Sequence, residues 1–249
     1  MSQFVERMAL TAAVGYPTTP QTNNTDQLKE NETMATQSID SIAGIAIPDT
    51  ALVHEITEFI RDAEDDLLFD HSRRVFLFGV LQGQRRGLQP DLELLYAGAM
   101  FHDLGLTRRY RTSALRFEVD SANAAREFLL QHGRDKADAD KVWLGIALHT
   151  TPGIPEFLEP EIALVTAGVE TDVLGIGRDD LSPEALAAVL AAHPRPDFKR
   201  RILAAFNDGM KHRPHSTFGT VNADVLQHFD PTFDRDNFVD IILGNTWPE

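Results

Sequence analysis

From Pro48 onward, apolar residues recur at spacings of three and four, which is the pattern of helices that bury one face. Local signals divide this pattern: Thr50 and Ser182 can cap helix starts, and Gly87 and Gly133 can end helices in the left-handed conformation. No stretch alternates apolar and polar residues as a half-buried strand would. The pattern therefore predicts an all-α fold. The predicted helices cover, approximately, residues 50–60, 71–87, 92–101, 121–133, 138–149, 160–171, 183–193, 198–211, 223–229 and 237–243.

The segment before Pro48 has a different composition. Residues 17–41 are rich in Thr, Asn, Gln and Ser, and they contain too little apolar surface to offset the entropy lost on ordering. We therefore expect residues 1–47 to be a disordered N-terminal leader and residues 48–249 to form one helical domain. The opening residues include Glu6 and no lysine, which argues against a secretory signal and favours a cytoplasmic location.

Charge and cysteine content exclude several functions. The formal net charge of −15 would repel phosphate backbones and anionic lipids, so neither nucleic acid nor membrane is an expected partner. No run of residues is long and apolar enough to span a bilayer. The chain has no cysteine, which excludes thiolate zinc sites and cysteine nucleophiles. The expected partner is a small-molecule substrate, and assembly into a homo-oligomer stays open.

Four polar residues stand at or near the ends of predicted helices: His71, His102, Asp103 and Asp172. Composition alone gives about one His-Asp dipeptide by chance, so the pair His102-Asp103 means little in isolation. Its context, AGAMFHDLGLT, is an apolar helix that ends in two ionisable residues, and burying such groups without partners is costly. Two buried polar residues whose hydrogen bonds are satisfied within the core would also explain this pattern. Imidazole and carboxylate ligands on facing helices suit Zn²⁺, Mn²⁺ or Fe²⁺.

The order of His71, His102-Asp103 and Asp172 resembles the HD-domain superfamily of metal-dependent hydrolases. More narrowly, five segments between about residues 50 and 245 resemble the cyanamide hydratase group. These segments are HSRRVFLFG, PDLELLYAGAMFHDLGLT, RFEVDSANAAREFL, VWLGIALHTTPGI and PEIALVTAGVETDVLG. The resemblance implies an HD-domain helical bundle with one divalent metal ion, usually Zn²⁺, held by these four residues.

Further residues in the matching segments are candidates for substrate contact or catalysis. His149 is expected near the metal as a proton donor, although a capping or core histidine would also fit its position at a helix end. Arg116 and Glu118 are predicted to line the pocket or to orient ligands, with a surface ion pair as the alternative. Thr150 and Thr151 offer hydroxyl groups to a small substrate, or they stabilise the turn before Pro152-Gly153.

The function expected from these residues is hydration of a small nitrile-like substrate, with cyanamide converted to urea. A divalent metal makes hydroxide available near neutral pH, so no covalent nucleophile is needed. Asp103 would orient the water and His149 would supply the proton. The alternative is an HD-type phosphohydrolase, for which Arg108, Arg109 and Arg111 could bind phosphate. A third possibility is a non-catalytic metal- or ligand-binding module.

Overall fold

The structure, a computed structural model, describes residues 41–247 of the chain. Within this range the fold is almost entirely helical, as the sequence predicts. The helices are α1 (Ala51–Ala63), α2 (Asp66–Arg86), α3 (Leu92–Phe101), α4 (Phe117–Gln131), α5 (Lys136–Leu148), α6 (Pro160–Val169), α7 (Pro183–Ala192), α8 (Phe198–Met210), α9 (Asn222–Phe229) and α10 (Phe238–Gly244). None of these helices is long and apolar enough to cross a membrane.

Most helix ends follow the predicted local signals. The Thr50 hydroxyl accepts a hydrogen bond from the Val53 amide at 3.3 Å, and Gly87 ends α2 with a left-handed φ of 68°. The predicted start of α4 after Asp120 is wrong, because the helix begins at Phe117. Asp120 is buried within its first turn, where the carboxylate pairs with Arg213 and cannot serve as the cap.

The leader prediction is tested only at its end, since residues 1–40 lie outside the described residues. Strands β1 (Ser41–Ile42) and β2 (Ile45–Ala46) form an antiparallel hairpin, and this corrects the expectation that no strand is present. Each strand has only two residues, too few to produce an alternating pattern. Ile45 is buried in the main core, so the folded part of the chain begins before Pro48.

The centre of the bundle is the crossing of α2 and α6, with α3 packed against both. A Cβ atom added at Gly79 would lie 2.8 Å from the carbonyl oxygen of Leu164, and one at Gly168 would lie 2.2 Å from that of Val75. The two backbones are therefore in direct contact, which only glycine permits at these positions. This close crossing brings the N-terminal half of α2 against the end of α6.

Helix α6 continues into one turn of π-helix, Glu170–Leu174, which ends at Gly175 in the left-handed conformation. A π-turn adds a residue to the helical repeat and often occurs at functional sites. The Thr171 hydroxyl, which accepts a hydrogen bond from Gln82 at 3.1 Å, donates to the carbonyl of Ile176 at 2.9 Å. These bonds fix the turn so that Asp172 is buried against α2.

Candidate metal centre

Three of the predicted ligands come together at the middle of the bundle. His71 lies in the second turn of α2, His102 follows the last residue of α3, and Asp103 comes next in the chain. All three side chains are buried, and one ligand atom from each lies within 4.8 Å of the others. Among the described residues they form the one group of three or more potential ligands at this spacing.

The hydrogen bonds of the two histidines assign their tautomers. His71 donates from Nδ1 to Oδ2 of Asp172 at 2.7 Å, and His102 donates from Nδ1 to the carbonyl of Ala99 at 2.8 Å. In the neutral rings, both Nε2 atoms then carry lone pairs. These two nitrogen atoms are only 3.2 Å apart. Two lone pairs at this separation repel each other unless a proton or a metal ion lies beside them. Burial lowers the pKa of His102, but the charge of Asp103 raises it above its ordinary value, so a proton is readily held here when no metal ion is bound, and a metal ion satisfies both nitrogens.

Asp103 completes the donor group. Its Oδ2 lies 3.4 Å from Nε2 of His102 and 3.6 Å from Nε2 of His71. Neither carboxylate oxygen has a hydrogen-bond partner, although the side chain is fully buried. Burial alone would raise the pKa of Asp103, but the neighbouring histidines, His102 foremost, hold it well below its usual range. A buried carboxylate without donors is costly, and a divalent cation would remove that cost.

His149 follows the last residue of α5 and faces the same group. Its Nδ1 donates to the carbonyl of Ile146 at 2.6 Å, while Nε2 has no hydrogen-bond partner and lies 3.7 Å from Oδ1 of Asp103. Burial, and then the proximity of His102, lower the pKa of His149 to about 4. The ring is therefore neutral at physiological pH, with the lone pair of Nε2 directed towards the centre. A purely structural histidine would leave no buried nitrogen without a partner.

Asp172 lies on the other side of His71, away from the three converging ligand atoms. Its Oδ2 accepts from His71 Nδ1, and its two oxygens also accept from Arg74, with Nε to Oδ1 at 2.9 Å and Nη2 to Oδ2 at 3.0 Å. Burial raises the pKa of Asp172, but these partners lower it below its usual range. Its role as a direct ligand stays a prediction. In the described geometry its contact is to the ligand His71, as carboxylates often orient metal-binding histidines.

Two arginines near Asp172 were not anticipated from the sequence. Arg74 is fully buried and also donates to the carbonyls of His193 and Pro194, at 3.2 and 2.9 Å. Arg195 donates to the main-chain carbonyl of Asp172 at 2.5 Å. The available signal was Arg74 itself, which lies one turn after His71 in the same helix. A buried arginine requires an anionic partner.

The ligand group lies at the base of a cavity of about 550 Å³, here called the metal cavity. His149, Thr150 and Asn222 contribute polar groups to its wall. Glu118 is buried behind this wall, where its Oε1 accepts from the Thr150 hydroxyl and from the Asn222 amide, the latter at 2.8 Å. Asn222 lies on α9, far along the chain from the HD pair, and no local pattern marked it.

The other predicted substrate residues do not reach the described wall of the metal cavity. Arg116 donates to Oε1 of Glu118 at 2.8 Å, so Arg116 and Glu118 support the wall rather than line it. Thr151 is half-buried and is absent from the lining, while its neighbour Thr150 is part of it. Consecutive residues in a turn project in different directions, which explains why one threonine reaches the cavity and the other does not.

The three arginines proposed for phosphate binding lie elsewhere. Arg108, Arg109 and Arg111 line a separate, more open space of about 700 Å³, here called the arginine cleft. Asp65 and Asp208 lie on its walls as well. None of these residues lines the metal cavity, so these arginines do not reach a substrate bound at the ligand group.

Comparison with known proteins supports the assignment made from the geometry. The family model of the HD domain matches residues 68–195, just over half of the chain. This span includes His71, His102, Asp103, His149 and Asp172. The search of curated proteins found no match. The chain belongs to the HD domain family.

Proposed function

We propose that the protein is a metal-dependent hydratase of a small nitrile-like substrate, with conversion of cyanamide to urea as the reference reaction. The observation that carries the proposal is the buried carboxylate of Asp103, which has no donor and faces the Nε2 lone pairs of His71, His102 and His149. The five cyanamide hydratase-like segments support the choice of substrate class. The absence of cysteine supports a reaction without a thiol nucleophile.

One divalent metal ion, Zn²⁺ in the first instance, fits the donor set of imidazole nitrogen and carboxylate oxygen. His71, His102 and Asp103 would hold it, and Asp172 is the candidate for a further ligand. When bound, such an ion makes hydroxide available from water near neutral pH. The protein supplies the dry surroundings and the fixed orientation of the histidine rings.

The proposed proton carrier is His149. Because its Nδ1 hydrogen is held by Ile146, Nε2 starts without a proton and accepts one from the attacking water. The hydroxide adds to the nitrile carbon, one C–N π bond breaks, and His149 returns the proton to the nitrile nitrogen. The product isourea tautomerises to urea, so atoms and charge balance. Asp103 and Glu118 stabilise the transient imidazolium, since both negative charges raise the pKa of His149.

The polar wall next to His149 would bind the polar end of the substrate. Glu118 holds the Thr150 hydroxyl and the Asn222 amide, which leaves the Asn222 carbonyl available as an acceptor for an amino group such as that of cyanamide. Arg116 neutralises the charge of Glu118 from behind and keeps the pKa of this buried carboxyl low, against the effect of burial. This network favours a neutral substrate with a hydrogen-bond donor.

Phosphohydrolase activity has less support. A phosphate ester requires several positive groups near the metal, and Lys199 is the one lysine or arginine among the described residues that line the metal cavity. Its side chain is exposed. A panel of nucleoside monophosphates, assayed for phosphate release, tests this alternative directly.

The decisive experiment combines metal analysis with turnover. We expect about one equivalent of divalent metal per chain, loss of urea formation from cyanamide after chelation, and recovery on addition of Zn²⁺. Asp103→Asn should lose both metal and turnover, while Asp208→Asn, on the wall of the arginine cleft, should lose neither. Undiminished turnover by metal-free protein would overturn the mechanism. Absence of turnover with cyanamide and with every nitrile would overturn the substrate class.

A further inference from the structure

The metal cavity is much larger than cyanamide needs. Cyanamide has three heavy atoms. If each occupies about 30 Å³, the volume that a water molecule takes up, cyanamide fills roughly 90 Å³. The cavity measures about 550 Å³, which lies in the range of sites for larger organic ligands, roughly 300–1,000 Å³. Most of the space is therefore left over once the reacting group lies at the metal centre.

The remaining wall is mainly apolar. The end of α6 and its π-turn contribute Val169 and Val173, and helices α8 and α9 face them across the cavity. The apolar wall residues on these two helices are Phe198, Ile202, Phe206 and Val225. Most of the polar groups gather at the base near Asp103, and Glu170, a half-buried residue of the π-turn, adds one carboxyl group to the wall. The cavity therefore has a polar end and an apolar body.

The rim of the cavity is also apolar. Leu174, Leu203 and Val221 all line it and are 47%, 37% and 43% exposed. Single exposed apolar residues are common, but three around one opening form a contiguous patch, and such patches mark binding sites. Two charged side chains of the lining, Lys199 and Asp224, are exposed and opposite in sign.

We propose that the natural substrate carries an apolar body of roughly ten carbon atoms attached to its small polar head. The inference rests on the proposed function for the nature of the head, a neutral nitrile-like group. It assigns the chemical class of the whole molecule: a neutral alkyl or aryl nitrile or a substituted cyanamide. The head enters first and reaches Asp103 and His149, while the body lies between the π-turn and α8 and extends to the rim.

The first test measures binding without turnover. Acetamide, butanamide, hexanamide and octanamide resemble hydration products and form a series of increasing chain length. Their Kd values for the metal-loaded full-length protein, measured by isothermal titration calorimetry, should fall by about two- to fourfold per added methylene until the cavity is filled. Nitriles of the same chain lengths should show a parallel rise in kcat/KM.

Two variants test whether the chain-length dependence arises in the metal cavity. Val225→Phe, which narrows the cavity on α9, should weaken octanamide binding by about tenfold relative to acetamide. Val239→Phe makes the same change on the exposed surface of α10, outside the described lining, and should leave the ratio unchanged. If Val225→Phe does not fold, Leu203→Gln at the exposed rim should reduce the chain-length dependence in the same direction.

The outcomes separate the two proposals. If octanamide binds more tightly than acetamide but no nitrile is hydrated, the apolar-body inference stands and the proposed function fails. If cyanamide is hydrated but neither Kd nor kcat/KM depends on chain length, the inference is overturned and the proposed function stands. Chain-length dependence that is identical in wild type, Val225→Phe and Leu203→Gln would also overturn it, because the body would then bind elsewhere.

Discussion

The metal cavity and the arginine cleft are similar in volume and opposite in construction. In the cleft, the three arginines are exposed at least in part or lie against aromatic rings, as Arg109 does over Phe59 at 5.8 Å. In the metal cavity, Asp103 and His149 are buried, and both carboxylate oxygens of Asp103 and Nε2 of His149 have no hydrogen-bond partner. Because buried polar groups are normally satisfied, unmet donors and acceptors identify a site better than volume or charge does.

The largest expected difference between the two regions is in metal content. His102→Ala should reduce bound metal from about one equivalent to near zero and lower turnover by more than the 10- to 100-fold typical of outer-sphere metal partners. His132→Ala is the matched control, since His132 also ends a helix and bonds a carbonyl through Nδ1, that of Phe128 at 2.6 Å. Elemental analysis by mass spectrometry and the urea assay give the readouts. Full metal content in His102→Ala would remove the distinction between cavity and cleft.

A smaller effect is expected behind the metal group. Asp172→Asn should weaken metal affinity about 10- to 100-fold, because the amide orients His71 less firmly than a carboxylate paired with Arg74. Competition with a chelator measures the affinity, and Asp180→Asn, which disturbs the exposed Arg85–Asp180 pair, serves as the control. The visible spectrum of the Co²⁺-substituted protein should be retained if Asp172 acts through His71. A changed spectrum would instead establish Asp172 as a direct ligand, and unchanged affinity would contradict both roles.

The smallest expected effect concerns the boundary between the two regions. Glu64 is buried, and its sequence neighbours Ala63 and Asp65 line the arginine cleft. Burial, and then the charge of Asp103, raise the pKa of Glu64 well above its ordinary value. In the pH window between the unfolded and folded pKa values, only the folded state holds the proton, so stability falls as pH rises. Glu64→Gln should remove this loss.

The corresponding measurement is the Tm of metal-free protein at pH 5 and pH 8. The Tm of Glu64→Gln should be closer to that of wild type at pH 5 and should exceed it at pH 8. Glu58→Gln, which alters an exposed residue of the preceding helix α1, should follow wild type at both values. If Glu64→Gln follows wild type as well, the pKa of Glu64 is not raised in the folded protein.

Local signals explain how much of the fold could be predicted. Thr50 and Gly87 mark helix ends through contacts with their own neighbours, so the sequence alone indicates them. The order of His71, His102 and Asp103 likewise predicted a group that the structure brings together. The start of α4 was missed because Asp120 pairs with Arg213, ninety-three positions away, and such a contact leaves no local pattern.

The same distinction applies to the site. Asn222 and the apolar wall come from α8 and α9, which pack over the ligand group from the far end of the chain. Asp172 lies beside His71, and its predicted role as a metal ligand stays a prediction. Its partners depend on the π-turn and on Arg74, and helical periodicity predicts neither. Arg108, Arg109 and Arg111 are close to Asp103 in the sequence. The short turns between them and Asp103 direct their side chains into the arginine cleft instead.

The π-turn at Glu170–Leu174 is equivalent to an α-helix with one inserted residue. Deleting one residue from it would restore the regular repeat and rotate everything beyond by about 100° relative to α6. Asp172 would lose its place against His71, while the Gly79 and Gly168 crossing, which precedes the turn, would remain. A single codon deletion would therefore displace Asp172 and every element that follows it, while the crossing of α2 and α6 stays in place.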